Sequence, residues 1–264
     1  MQRHAVRFNN EEVIYQHKIT DEDFYLKAHS HNDYELIFFC GGDVSYTIEN
    51  KKFQLNKFDL VITRPTAHHN IIINKKCVYD RYNALFSADG FFAEILSSIA
   101  KEADVINCAD DHVIIEGFKK LDYYEENYTE KEFENLLLSI LTEIIYKLKY
   151  KNVQAHVDYK PLPDVIKKAI EYINANIFSI KDVSEISSAL YVSKNYFFRV
   201  FKQELKISPK KYIVNKRLLH AQNLIRAGEK PTTVYVDCGF DNYTSFYKQY
   251  VEQFGYPPSR ENKK

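Results

Sequence analysis

Asn195 and Arg199 are side chains able to make two parallel hydrogen bonds to one base edge, and they lie four residues apart in a segment that repeats. The first copy is Ser193-x-x-Tyr196-Phe197-x-Arg199-x-Phe201-Lys202, closing at Ser208-Pro209. It recurs 49 residues later as Asn242-x-x-Ser245-Phe246-x-Lys248-x-Tyr250, closing at Pro257-Pro258. Each copy has a capping residue, an apolar stripe at helical spacing and a basic residue on the opposite face. The pattern predicts a short helix packed on a support, with its outer face free to touch a polyanion.

Charge agrees with that chemistry. The chain has 264 residues with 36 basic and 36 acidic side chains, but residues 1–160 hold 19 basic against 26 acidic, and residues 161–264 hold 17 against 10. The halves therefore carry −7 and +7, and the repeat lies in the basic half. The four cysteines are scattered, with no C-x-x-C pair, and no apolar run approaches the length of a membrane span. A reduced, cytoplasmic protein is expected, with secretion and membrane insertion excluded.

The elements that must position the repeat follow from its punctuation. Pro163-Asp164 opens a helix through Ile170, Ile173 and Ile177; Ser179-x-x-Asp182 is read as the next cap; a turn at Tyr191-Val192 precedes the cap Ser193. Ser208-Pro209 starts and Gly228 stops a helix of about 19 residues, roughly 28 Å long. Pro231 begins another short helix that Gly239 ends, and Asn242 caps the last one, which stops at Gly255. Two helix-turn-helix units are thus held apart by a rod of the length that separates successive major grooves.

These residues resemble the DNA-binding domain of AraC/XylS-type transcriptional regulators. The match is carried by Ser193, Tyr196, Phe197, Arg199, Phe201 and Lys202, by Gly239, Phe240, Asn242, Phe246, Lys248 and Tyr250, and by Arg217 and Ala221 between them. Spacing sends Ile186, Phe197, Val200, Phe201, Phe240, Phe246 and Tyr250 inward. The expected DNA contacts are Lys194, Asn195, Phe198, Arg199 and Lys202 on the first helix and Asn242, Tyr243, Tyr247 and Lys248 on the second, with Lys202 and Arg217 on phosphate. Three departures stand out. Tyr235 replaces a small residue behind the second reading helix, predicting weaker reading there. Lys206 replaces a helix-ending glycine, at a cost of about 1 kcal/mol. Glu261-Asn262 replaces an aromatic-arginine end, predicting a short or frayed terminus.

The acidic half reads differently. Short β-type runs at Tyr34–Phe39, Val44–Ile48, Leu60–Thr63, Ile71–Ile73 and Val78–Phe86 alternate with turn residues, as an antiparallel sheet or small barrel requires. Between Asp89 and Tyr150 the period becomes helical. There Thr129-x-x-Glu132 forms a capping box, and Phe133, Leu136, Leu137, Ile140, Leu141, Ile144, Ile145 and Leu148 form a stripe fit to pack on the sheets or to make a homodimer seam. His29-x-His31-x3-Glu35-x6-Gly42, Phe58-Asp59 and His69 resemble the double-stranded barrel of the cupin type, with Phe58 and Thr66 where that pattern has glycines. If pairing is extended, the odd parity of His29, His31, Glu35, Ile37 and Phe39 points them to one face.

The expected fold is α+β: a cupin-like barrel over 1–88, helices over 89–150, a linker over 151–163 and an all-α DNA-binding domain with two helix-turn-helix units over 164–264. The resemblance implies a ligand-responsive transcriptional activator, with no enzymatic activity and no cofactor. Its partners would be double-stranded DNA, RNA polymerase, a second copy and a small polar effector such as a sugar. The effector would meet His29, His31, Glu35, Tyr46, Arg64, His69 and Tyr82. The alternatives are a metal-dependent cupin enzyme using His29, His31, Glu35 and His69, whose donor types suit Fe, Mn, Ni or Zn, and a DNA-binding regulator controlled by a partner protein.

Overall fold

The computed structural model describes residues 3–8, 11–20, 28–150 and 159–263. Alternating apolar positions build two antiparallel sheets. Strands β1 (His4–Phe8), β2 (Glu11–Thr20), β3 (Tyr34–Gly41), β6 (Asp59–Thr63), β8 (Tyr79–Phe86) and β9 (Val105–Asn107) pair in the order β1-β2-β8-β3-β6-β9. Strands β4 (Val44–Ile48), β5 (Lys51–Gln54), β7 (His69–Ile73) and β10 (Tyr159–Pro161) pair as β10-β5-β4-β7. Ile37, Phe39, Val61 and Tyr79 of the larger sheet pack with Tyr46, Ile48, Phe53 and Ile71 of the smaller, so the odd-numbered residues of β3 face the space between the sheets.

The even-numbered residues of β3, Leu36 and Phe38, join a second core with helices α1 (Phe91–Ser97), α2 (His112–Asn127) and α3 (Glu130–Tyr150). The expected capping box starts α3: Thr129 Oγ1 accepts from the Glu132 amide, and the Glu132 carboxylate accepts from the Thr129 amide at 3.0 Å. Phe133, Leu137, Leu141, Ile144, Ile145 and Leu148 are buried against Val13, Tyr15 and Phe38 of the same chain. Six of the eight residues of that stripe are thus packed inside the molecule, and Leu136 and Ile140 are half-buried.

The linker expectation needs a correction at its end. Tyr159–Pro161 is an edge strand, Tyr159 opposite Phe53 and Pro161 opposite Lys51, and the Leu162 amide donates to the Asn50 carbonyl. Residues 151–158 of the expected linker lie outside the described residues.

Past it come α4 (Asp164–Asn176), α5 (Ser184–Ala189), α6 (Lys194–Leu205), α7 (Pro209–Arg226), α8 (Pro231–Asp237) and α9 (Tyr243–Phe254), then a 3-10 turn at Pro258–Lys263. Ser193, Ser208 and Asn242 cap α6, α7 and α9, each accepting the backbone N–H three residues on. Ser179 does not cap α5; its hydroxyl turns back to the Asn176 carbonyl, and Asp182 and Glu185 hold the start of α5 instead. Two small cores result, one under α4 to α6 and one under α7 to α9. No helix among the described residues is long and apolar enough to cross a membrane.

Candidate DNA interface and effector pocket

The first reading helix, α6, buries Phe197, Val200, Phe201 and Leu205 and exposes Lys194, Asn195, Arg199 and Lys202. Tyr196, which spacing alone did not flag, is also exposed, and the Arg199 guanidinium sits 5.8 Å from its ring centre. Phe198 is half-buried against the core under α6. At the helix end Lys206 adopts φ 57°, the left-handed conformation anticipated for a position that favours glycine.

The second reading helix, α9, buries Phe246 and Tyr250 and exposes Tyr247 and Lys248. Tyr235 does not wedge beneath it. The phenol is half-buried at the rim, edge-on to Tyr243 at 5.7 Å, so Tyr243 is partly covered. The Asn242 oxygen is engaged at 2.8 Å by the Ser245 amide as the helix cap. Of the short or frayed end expected, the structure has the short form: the 3-10 turn at Pro258–Lys263 is anchored by Glu261, which accepts from Arg226, Gln222 and Tyr250.

Arg217 is not a phosphate contact. It is buried in α7, with Nε and Nη2 donating to the carbonyls of Ile177 and Ile180, at the end of α4, and Nη1 to the carbonyl of Gly239, beyond α8. Its fork ties the two reading units into one body. Gly239 makes room for this: its φ is +75°, and a Cβ there would lie 2.4 Å from the Phe178 carbonyl oxygen.

Between the sheets, His29, His31 and His69 bring ring nitrogens within 4.8 Å of one another. His29 and His69 face each other through a backbone bridge, the His29 amide donating to the His69 carbonyl at 3.1 Å and the reverse at 3.0 Å. Glu35 Oε2 lies 3.4 Å from His31 Nε2 and 3.1 Å from His69 Nε2. Burial alone would raise the Glu35 pKa, but the His31 hydrogen bond and the close His69 imidazole hold it well below the carboxylate range; His31 is shifted upward, Glu35 outweighing the effect of burial. Tyr46 stacks 6.0 Å from His69, and its hydroxyl meets Thr63 at 3.1 Å. Asn83, opposite Ile37 on β8 and so facing inward, donates to Glu35 Oε1.

Two expected pocket residues point elsewhere. Tyr82 lies opposite Phe38 and shares its even-parity face, donating to Asp122 at 2.6 Å and stacking on His17 beneath α2. Arg64 is committed to Asp104 and the Ala100 carbonyl, both at 2.7 Å. Phe58 and Thr66, the residues standing where the cupin pattern has glycine, adopt φ of 70° and 66°.

Outward neighbours of the pocket hold α7 and the end of α6. Asn32 donates to the Leu219 carbonyl and to Gln222 Oε1 at 2.8 Å. Glu49 accepts from Lys216 and from the Tyr212 hydroxyl, both at 2.6 Å, and from the His68 amide at 2.9 Å. The His68 ring bridges Ser30 and the Leu205 carbonyl; since a carbonyl can only accept, Nε2 carries the proton. Burial pulls the His68 pKa down to about 4 and keeps it neutral.

Residues 186–264 match a family described as a helix-turn-helix domain. LumQ of Photobacterium leiognathi, named as a probable transcriptional regulator, is 31% identical over 90 residues, covering 34% of this chain and 36% of LumQ. The lactose operon transcription activator of Staphylococcus xylosus is 24% identical over 125 residues, 45% of this chain and 43% of that protein. The chain thus spans well under two thirds of the length of these curated relatives. A crystal structure of a probable AraC family transcriptional regulator from Rhodopseudomonas palustris covers 38% of this chain and 96% of its own at 27% identity, with a TM-score of 0.36.

Proposed function

We propose that this protein, whose residues 186–264 match a helix-turn-helix domain, is a cytoplasmic, sequence-specific DNA-binding regulator of transcription of the AraC type, responsive to a small ligand and acting as an activator through RNA polymerase. The observation that carries the reading is the pair of capped helices α6 and α9, joined through buried Arg217 and presenting Lys194, Asn195, Arg199, Lys202, Tyr247 and Lys248 outward. Arg and Asn at the N-terminal turns of such helices suit base edges, and lysines suit phosphate. No catalytic role is assigned; the relatives are named as regulators.

In this reading residues 1–88 form a cupin-like sensor in which His29, His31, Glu35, Tyr46 and His69 meet the effector. Their imidazole, carboxylate and phenol groups suit the hydroxyls of a sugar, and the relative from Staphylococcus xylosus is named for a lactose operon. The convergence of three imidazoles favours a second reading, a divalent metal as the ligand. Metal analysis of dialysed protein separates the two.

The test of the main reading is binding to its own upstream DNA across a salt series. Specific affinity well above that for random duplex, falling with salt, is expected; equal affinity for both overturns the proposal.

A further inference from the structure

The pocket and the DNA-reading body are joined by the same two short segments. Residues alternate along them: His31 and His69 face the pocket, while Asn32 faces α7 and His68 meets both the Leu205 carbonyl at the end of α6 and, edge-on at 5.2 Å, the Tyr212 ring of α7. The segments cannot move independently, because His29 and His69 exchange both backbone hydrogen bonds and the Thr66 amide donates to the His31 carbonyl at 2.7 Å. On the helix, the residues engaged are Tyr212, Lys216, Leu219 and Gln222, spaced by four, three and three, which is one face of α7. Glu49, whose own backbone amide donates to the His68 carbonyl at 2.8 Å, supplies the charged part of the contact.

We propose that Asn32, Glu49 and His68 form a latch on α7, and that the occupancy of the neighbouring pocket decides whether the latch is closed. The proposal rests on the reading of that pocket as the effector site. In the closed state Glu35 draws His31 and His69 onto a single oxygen. A ligand that hydrogen-bonds or coordinates these imidazoles takes them from Glu35 and shifts residues 31 and 69, and with them Asn32 and His68. Because Arg217 locks the two reading units together, release of α7 frees both as one body and leaves their mutual spacing intact. Linkage makes the effect reciprocal: a ligand that prefers the open latch binds more tightly when the latch is broken.

The experiment uses the full chain and two sets of variants. Asn32→Ala and Glu49→Gln break the latch directly. Glu35→Gln and His31→Gln alter the pocket and touch nothing on α7. Small-angle scattering reads the radius of gyration, hydrogen exchange reads residues 66–70 and 209–226, and circular dichroism checks folding. Both sets are expected to enlarge the particle and to speed exchange at 66–70 by roughly tenfold. Should Glu35→Gln fail to fold, His31→Gln, at the more exposed of the two positions, decides. Latch variants that undock while folded pocket variants keep wild-type scattering and exchange would overturn the coupling, and latch variants that stay docked would overturn the latch. None of these readouts involves DNA, so a coupled protein that ignores its upstream DNA refutes the regulator reading alone.

Discussion

His31 and His69 converge on one oxygen of Glu35, Nε2 of the first at 3.4 Å and of the second at 3.1 Å, inside a space that His29, Ile37, Phe39, Tyr46 and Asn83 also line. Glu35 and His31, so close and largely buried, hold their charge because they are paired.

Stability should follow that pairing with pH. The Glu35 pKa is depressed, so its contribution is present above the usual carboxylate value of about 4.3 and is lost as pH falls through the folded-state value. The His31 pKa is raised, so its contribution is present below about 6.5 and is lost as pH rises through the folded-state value. Thermal unfolding between pH 4 and 8 should show this pair contributing most between those limits. Glu35→Gln should cost roughly 3 kcal/mol there and flatten the profile at both ends; an unchanged profile would show that the cluster is not ionised as described.

His68 acts in the opposite sense. Its pKa is lowered to about 4, so the unfolded chain binds a proton that the folded chain refuses. Its contribution is full above about 6.5 and declines as pH falls toward 4, by up to about 3 kcal/mol. His68→Gln retains an N–H for the Leu205 carbonyl and removes the titration. The gap in melting temperature between variant and wild type should move in the variant's favour as the buffer is acidified from pH 7 to 5.

How much of this was legible in the sequence differs by element. The C-terminal helices were readable because capping residues, prolines and glycines mark their ends, and Ser193, Ser208 and Asn242 cap where expected. Strand β2 was mostly missed because its inward residues, Val13, Tyr15 and His17, mix apolar and polar types; β5 was missed because it is a short strand with one buried residue, Phe53. In the pocket, parity along β3 sets Glu35 on one face with Ile37 and Phe39, whereas His31 lies before the strand, beyond a bend at residues 32–33, and its place follows from the neighbouring His29–His69 bridge, a tertiary pairing. Parity could not exclude Tyr82, because the register of β8 against β3 is a tertiary fact: Tyr82 opposite Phe38 faces the helices, and Asn83 opposite Ile37 faces the pocket. Arg217 fits a phosphate contact by type. Only the packing of α4 and α8 around α7 shows that all three of its nitrogens already donate to backbone carbonyls.

Arg217→Ala leaves three backbone carbonyls without their charged donor and should destabilise the C-terminal half by 3 kcal/mol or more, on the order expected for a buried, hydrogen-bonded charge. Arg217→Lys should recover little of this, because one ammonium cannot span three carbonyls. Gly239→Ala should be comparably damaging, since its Cβ meets the Phe178 carbonyl oxygen at 2.4 Å. A phosphate contact would behave differently, with an unchanged melting temperature and a salt slope of DNA binding lowered by about 1.

Lys206 offers a stabilising change. It ends α6 at φ 57° with its amide donating to the Lys202 carbonyl, and it is exposed. Lys206→Gly keeps that hydrogen bond and removes the strain of a left-handed side chain, so the variant should gain up to about 1 kcal/mol by denaturant unfolding. A loss would mean that the lysine makes a compensating contact.

The two reading helices should contribute unequally to sequence selection. On α6 the outward residues Lys194, Asn195, Arg199 and Lys202 are exposed, with Arg199 braced over Tyr196. On α9 the Asn242 oxygen is taken by the helix cap and Tyr243 is partly covered by Tyr235, leaving Tyr247 and Lys248. Arg199→Ala should therefore cost about 1–3 kcal/mol on the best site and relax selection at the positions facing α6. Lys202→Ala and Lys248→Ala should weaken binding to all sequences alike, each lowering the salt slope by about 1. Selection of bound sequences from a random pool, repeated for each variant, reads both effects. Tyr235→Ala tests the origin of the asymmetry: it uncovers Tyr243, and sharper selection at the α9 half would show that the phenol limits reading there, whereas unchanged selection with a lower melting temperature would make it a packing residue only.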